Sequence, residues 1–123
     1  MDDLAGYYDN LPRSQYLIIQ EDDQVVACGG FGPISDTVCE LQKLYVAPAA
    51  RRKGYASQLI REIEERARSF GYQQIYLESS TKLVAALKLY EKMGYRHLAQ
   101  PLTQETGHYL MDVWMVKDLN VIL

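Results

Sequence analysis

One stretch constrains this chain more than any other: LQKLYVAPAARRKGYASQLIREIEERARSF, from Leu41 to Phe70. Leu41, Leu44, Tyr45 and Val46 form an apolar, β-prone run that Pro48 ends. From Ala56 onward, apolar residues recur at Ala56, Leu59, Ile60, Ile63, Ala67 and Phe70, the spacing of one helix face. The other face carries Arg61, Glu62, Glu64, Glu65, Arg66 and Arg68. Its pairs Arg61/Glu65, Glu62/Arg66 and Glu64/Arg68 stand one helical turn apart, where opposite charges support each other. Gly71 sits where a helix tends to end in a left-handed residue.

The front of that helix is built against its own stability. Arg51, Arg52 and Lys53 crowd the pole where the helix macrodipole is already positive. Gly54 follows, a poor helix starter that nevertheless lets a ligand approach the backbone closely. Three cations beside the unpaired N–H groups of a first turn make an anion site suited to phosphate. A solvated basic turn is the competing reading of an Arg-Arg-Lys triplet; the strand–turn–glycine–helix context favours the phosphate site.

A chain of 123 residues with net charge −3 is expected to form one domain spanning residues 1–123. The charge argues against broad nucleic-acid binding, which needs a basic face, so the cations at 51–53 are a local device. The opening MDDLAGYYDN has neither the basic nor the apolar region of a signal peptide, and no apolar run reaches membrane-spanning length. The expectation is a cytoplasmic protein with no membrane or nucleic-acid partner. Cys28 and Cys39 lack metal-type spacing and fall in apolar strand context, as buried, reduced thiols would. No metal site is expected.

Along the chain, residues 1–10 read as the end of a helix and Asn10 to Ser14 as a turn. Tyr16 to Gln20 and Gln24 to Gly30 read as strands around the acidic turn Glu21-Asp22-Asp23. Gly29, Gly30 and Gly32 loosen the end of the second strand, without dinucleotide-fingerprint or P-loop spacing. Phe31 to Thr37 reads as a loop and Val38 to Val46 as a third strand. After the long helix come a strand, Gln74 to Glu78, and N-cap candidates Ser79, Ser80 and Thr81. The helix that follows runs to Met93, turning Leu83, Ala86, Leu87, Tyr90 and Met93 to the core, and Gly94 closes it. Tyr95 to Leu98 and His108 to Val116 read as strands flanking a polar loop, Gln100 to Gly107. The order β-β-β-α-β-α-β-β specifies a layered α/β (α+β) fold with a mixed, mostly antiparallel sheet. The strands 38–46 and 74–78, joined by a helical crossover, form its central parallel pair.

Val46-x-Pro48-x-x-Arg51-Arg52-Lys53-Gly54-Tyr55-Ala56 resembles motif A of the GCN5-related N-acetyltransferases, Arg/Gln-x-x-Gly-x-Gly/Ala after a strand ending in Val-x-Pro. Leu89-Tyr90-Glu91-Lys92-Met93-Gly94-Tyr95 resembles that family's motif B, in the same order and at the same spacing. The resemblance covers the chain from about Tyr16 onward. It implies an acyl-CoA N-acyltransferase fold and acetyl-CoA as cosubstrate, its acetyl group passing to an amine. It places the pyrophosphate on the backbone amides of Arg52, Lys53, Gly54, Tyr55, Ala56 and Ser57, with charge from Arg51, Arg52 and Lys53. It also lays the pantetheine arm along the backbone of Leu44, Tyr45 and Val46, where the two parallel strands splay. Two departures stand out. Leu83 replaces the Asn that many members carry, and the N-terminal strand and helices that help form the acceptor pocket look reduced. A longer natural chain or a homodimer, in which a second protomer completes the pocket, would each account for the latter.

Acetyl transfer to an ammonium requires a base. Glu40, which resembles the glutamate base of several members, shares a face with Gln42, Leu44 and Val46 by simple alternation, unless a β-bulge shifts the phase. Its competing reading is a solvated carboxylate, and Glu78 is its rival as base. Tyr90 resembles the family's tyrosine that serves the CoA thiolate, against a plain core role for an apolar-stripe Tyr. His97 and His108 are read as structural. The leading function is an acetyl-CoA-dependent N-acetyltransferase acting on a small-molecule or peptide amine in a ternary complex. A non-catalytic CoA-binding domain and an unrelated nucleotide-phosphate binder are the alternatives.

Overall fold

The structure, a computed structural model, describes residues 12–102 and 111–119. Three antiparallel strands open it: β1 (Gln15–Glu21), β2 (Gln24–Pro33) and β3 (Val38–Val46). A 3-10 turn (Pro48–Ala50) leads to helix α1 (Tyr55–Ser69), then β4 (Gln74–Ser79), α2 (Val84–Lys92), β5 (Arg96–Leu98) and β6 (Val113–Asp118). The strands form one sheet in the order β1-β2-β3-β4-β6-β5. β3 and β4 are its hydrogen-bonded parallel pair, as expected from the sequence.

This strand order fixes where the helices go. β6 runs antiparallel to both β4 and β5, so β4 and β5 point the same way. The connections β3-α1-β4 and β4-α2-β5 therefore both join strands of like direction and step the same way across the sheet. Right-handed crossovers of that kind place their helices on one face. Leu59, Ile60, Ile63 and Ala67 of α1 and Tyr90 of α2 indeed share one core cluster with Cys39, Leu41, Ile75, Leu77 and Met115. Each fully buried Leu or Ile there contributes roughly 1.5–3 kcal/mol. The alternate residues Glu40, Tyr76, Glu78 and Trp114 consequently belong to the opposite face.

Several boundaries depart from the sequence reading, each for a packing reason. β2 continues through Phe31 to Pro33, where a loop was expected, because Phe31 is a fully buried core residue against Phe70 and Tyr72. The glycines lie inside this strand. A Cβ on Gly29 would stand 3.2 Å from Leu44 Cδ1 and 3.3 Å from Ile63 Cδ1, so glycine lets α1 close onto the sheet. Ser79, Ser80 and Thr81 do not cap α2, which begins after Leu83 without a side-chain cap. Thr81 is held instead by Asp112, whose carboxylate accepts from its N–H at 2.9 Å and its hydroxyl at 3.0 Å. Leu83, expected in the core, is 51% exposed because the helix starts only after it.

Among the described residues the last strand runs from Val113 to Asp118, past the expected end at Val116; its expected start at His108 falls with residues 1–11, 103–110 and 120–123 outside the described residues. Glu64, expected on the solvated face, is buried. It accepts from the Tyr95 hydroxyl at 2.8 Å and Lys117 Nζ at 2.9 Å, while Arg68 turns to Glu65 and the Leu119 carbonyl. Glu62 and Arg66 pair as expected, at 3.1 Å. Cys28 and Cys39 are free and buried, and burial pushes the Cys39 thiol up to about 12.

Candidate active site

The parallel ladder stops early. β3 and β4 pair at Val38↔Gln74, Cys39↔Ile75 and Glu40↔Tyr76, and no described strand continues the pairing on the β4 side of residues 41–46. On its other side β3 stays bound to β2 as far as Val46. Two residues of β3, Lys43 and Leu44, stand opposite the single residue Gly29, and Lys43 adopts φ 61°. This is a β-bulge, which bends its strand and increases local twist. Strand and bulge together open a gap lined on one side by unladdered backbone.

The bulge also changes the phase of β3. Leu44 and Val46 pack toward the same core cluster as Cys39 and Leu41, and Tyr45 is 52% exposed. Glu40 and Gln42 therefore do not share a face with Leu44 and Val46, as simple alternation implies; the extra residue moves those two to the helix side. The Gln42 amide donates to Glu40 Oε1 at 3.2 Å.

Past the gap the chain enters the basic turn. Arg51, Arg52, Lys53 and Gly54 are all exposed. Arg52 and Gly54 both lie in the left-handed region, at φ 69° and 79°, on either side of Lys53. For an arginine that conformation costs roughly 1–2 kcal/mol, and left-handed turn residues are how backbone N–H groups are made to converge on an anion. Gly54 is the N-cap of α1, with no side-chain cap and no acidic residue in the first turn. The first intrahelical bond runs from Gln58 N to Gly54 O at 3.0 Å. The amides of Tyr55, Ala56 and Ser57 thus precede any intrahelical acceptor. A Cβ built on Gly54 meets nothing within 4 Å, so the space in front of this backbone is open. The N-terminal pole of α1 combines unpaired donors, a positive dipole end and three cations around open space. From Ser57 a groove of about 540 Å³ continues between α1 and α2, with Arg61, Lys92 and Lys117 among its walls.

The side chains with chemistry fall in two places. Glu40, at the last rung of the parallel ladder, is only 6% exposed, which removes the reading of it as a solvated carboxylate. Tyr76 lies beside it in register and donates to Glu78 Oε2 at 2.7 Å. Burial, the bond to Glu78 and the charge of Glu40 push the Tyr76 phenol well above its ordinary range. Glu40, Tyr76 and Glu78 thus form one polar row on the face away from the helices. The sequence reading missed Tyr76, which in QIYLE looks like an apolar strand residue; only strand register brings it beside Glu40.

Tyr90 sits apart on the helix side, 8% exposed, its ring edge-on to Tyr95 at 5.9 Å. Its phenol is pushed up by burial alone, with no neighbouring charge or hydrogen bond contributing. His97 bonds Glu91 at 2.7 Å on the exposed side of α2, away from this chemistry.

A mixed sheet with this strand order, a parting parallel pair and a basic, glycine-led helix is the acyl-CoA N-acyltransferase fold. A GNAT-family acetyltransferase from Staphylococcus aureus superposes with a TM-score of 0.84 at 17% identity, covering 96% of this chain and 75% of that one. An aminoglycoside 6'-N-acetyltransferase crystallised with coenzyme A gives 0.75 at 22% identity, covering 96% and 79%. In sequence, the uncharacterized N-acetyltransferase YjgM of Escherichia coli K12 is 36% identical over 122 residues, 97% of this chain and 72% of that protein. Human N-acetyltransferase 8 is 29% identical over 119 residues, 93% of this chain, which spans 49% of that protein's length. The model of the acetyltransferase (GNAT) family matches residues 1–95. The chain belongs to the GNAT family of N-acetyltransferases.

Proposed function

We propose that this chain transfers the acetyl group of acetyl-CoA to a primary amine by direct attack in a ternary complex. The observation that carries this reading is the early end of the β3–β4 ladder at Glu40↔Tyr76, immediately ahead of the open, cation-flanked N-terminus of α1. A linear thioester needs an edge to lie along and an anion site for its far end, and the two occur here in one continuous segment. CoA-bound members of the same fold support the choice of cosubstrate.

In this reading the amides of residues 52–57 hold the pyrophosphate, with charge from Arg51, Arg52 and Lys53. The pantetheine arm pairs with the backbone of Leu44, Tyr45 and Val46 in the gap. Glu40, directly or through a water, takes a proton from the amine, which is mostly protonated at neutral pH. Its place on the last rung of the parallel ladder, at the mouth of the gap, favours it over Glu78, two residues past that rung on β4. The Tyr90 hydroxyl, held protonated by burial, returns a proton to the CoA thiolate. No metal is needed for this sequence of steps. The chain acts in the cytoplasm, where acetyl-CoA is available, on a small-molecule or peptide amine.

Acetyl-CoA turnover against a panel of amines, with Glu40→Gln beside the parent, tests the proposal. The parent is expected to release CoA only when a suitable amine is present. Glu40→Gln should lose rate at neutral pH and recover as pH rises and unprotonated amine accumulates. Superimposable pH–rate profiles would remove Glu40 as base, and no turnover with any amine would overturn the transfer reading.

A further inference from the structure

The acidic hairpin turn looks like punctuation in the sequence, and the structure uses it. Asp22 and Asp23 both have positive φ, 48° and 69°, the mark of the tight two-residue turn that joins twisted antiparallel strands. That turn fixes Glu21, the last residue of β1, and aims its side chain at the front of α1. Its Oε2 accepts the Tyr55 hydroxyl and its Oε1 stands 3.5 Å from Lys53 Nζ. The Tyr55 bond and the Lys53 charge hold the Glu21 carboxyl below its ordinary range, so it is ionised throughout the neutral region. A carboxylate from the neighbouring hairpin therefore stands beside a turn whose own features attract anions.

We infer that Glu21 is a built-in counter-anion of the phosphate turn, competing with phosphate for Lys53 and weakening the hold on CoA so that the product can leave. The inference rests on the acetyl-CoA reading above. Substrate and product of acetyl transfer carry the same phosphates, so every phosphate contact that captures acetyl-CoA also retains CoA. A fixed negative charge beside the site reduces both holds without altering the pantetheine arm or the reacting carbonyl. Glu21 and Lys53 side chains are 40% and 52% exposed, so the effect is of surface magnitude and open to screening by salt.

The competing role is a plain staple between the hairpin and α1, and the two roles predict opposite signs. Glu21→Gln keeps the size of the side chain and an acceptor for Tyr55 while removing the charge. Calorimetry with CoA, and with phosphate-free pantetheine as a second probe, should show about two- to five-fold tighter CoA binding in E21Q at low salt. Pantetheine affinity should be unchanged, and the CoA gain should vanish near about 1 M salt, where the screening length falls to roughly 3 Å. CoA binding that is unchanged or weaker in E21Q, with a lowered thermal midpoint, makes Glu21 a staple and overturns the inference alone. A gain that persists at high salt, or that extends to pantetheine, overturns it as well. A parent chain that does not bind CoA overturns this inference together with the acetyl-CoA reading.

Discussion

The two ends of α1 are built on opposite principles. At its C-terminal end every device stabilises the helix. Arg66 and Arg68 occupy the last turn, where cations suit the dipole, and the left-handed Gly71 follows Phe70. Arg13 donates to the Phe70 carbonyl at 2.9 Å, and its guanidinium lies 4.1 Å from the Tyr72 ring centroid. At the N-terminal end the same rules are broken one after another: cations at the positive pole, no side-chain cap, and left-handed backbone at Arg52. A fold keeps an end like that where a ligand completes what the chain, through Glu21, supplies only in part. The contrast within one helix separates what serves stability from what serves binding.

Three substitutions can break or sharpen that contrast. The largest effect is expected midway along the helix, where Lys117→Met on β6 would leave Glu64, 5% exposed, with its hydrogen bond from Tyr95 but without its bonded lysine. Unfolding free energy should fall by about 2–3 kcal/mol in denaturant titration, the upper part of the scale for losing a hydrogen bond to a charged group. A loss below about 1 kcal/mol would show that water takes the place of Lys117 at Glu64.

Tyr90→Phe comes next. With its phenol serving the thiolate, single-turnover rates should drop by about 10²-fold while CoA affinity and thermal midpoint stay near the parent's. A normal rate with a lower midpoint would make Tyr90 a core residue packed on Tyr95. The smallest effect belongs to the closed end. Arg13→Ala should cost about 1 kcal/mol of stability through the Phe70 carbonyl and leave CoA binding unchanged. If CoA affinity moved with it, the two ends would not be independent.

The sequence carried the segment from Leu41 to Phe70 well, because its signals are contiguous: a β-prone run, a proline, a charged turn, a glycine and a 3.6-residue period. The parallel pairing of β3 with β4 followed from the crossover between them. The polar row of Glu40, Tyr76 and Glu78 was not legible, because register between strands more than 30 residues apart assembles it. Glu64 was misread for a related reason. Its place on the charged stripe of α1 looked solvated until β6 brought Lys117, and the link from α2 to β5 brought Tyr95, onto it. The bulge at Lys43 has no local marker such as glycine on its own strand; its permissive residue, Gly29, is on the neighbouring one. Phe31 followed glycines that read as the end of a strand and turned out to be the approach surface for α1.

CoA binding to Gly54→Val tests the central claim most directly. No described atom stands within 4 Å of a Cβ built on Gly54, so valine is disfavoured there by the positive φ of the backbone and not by a described neighbour. It would project into the region where phosphate is proposed to meet the amides of Tyr55, Ala56 and Ser57. Calorimetry on the folded variant, with its thermal midpoint recorded, should show CoA affinity reduced by about ten- to a hundred-fold, equivalent to losing one charge-assisted contact of roughly 1.5–3 kcal/mol. Undiminished CoA binding in Gly54→Val would contradict the assignment of the α1 N-terminus as the phosphate site.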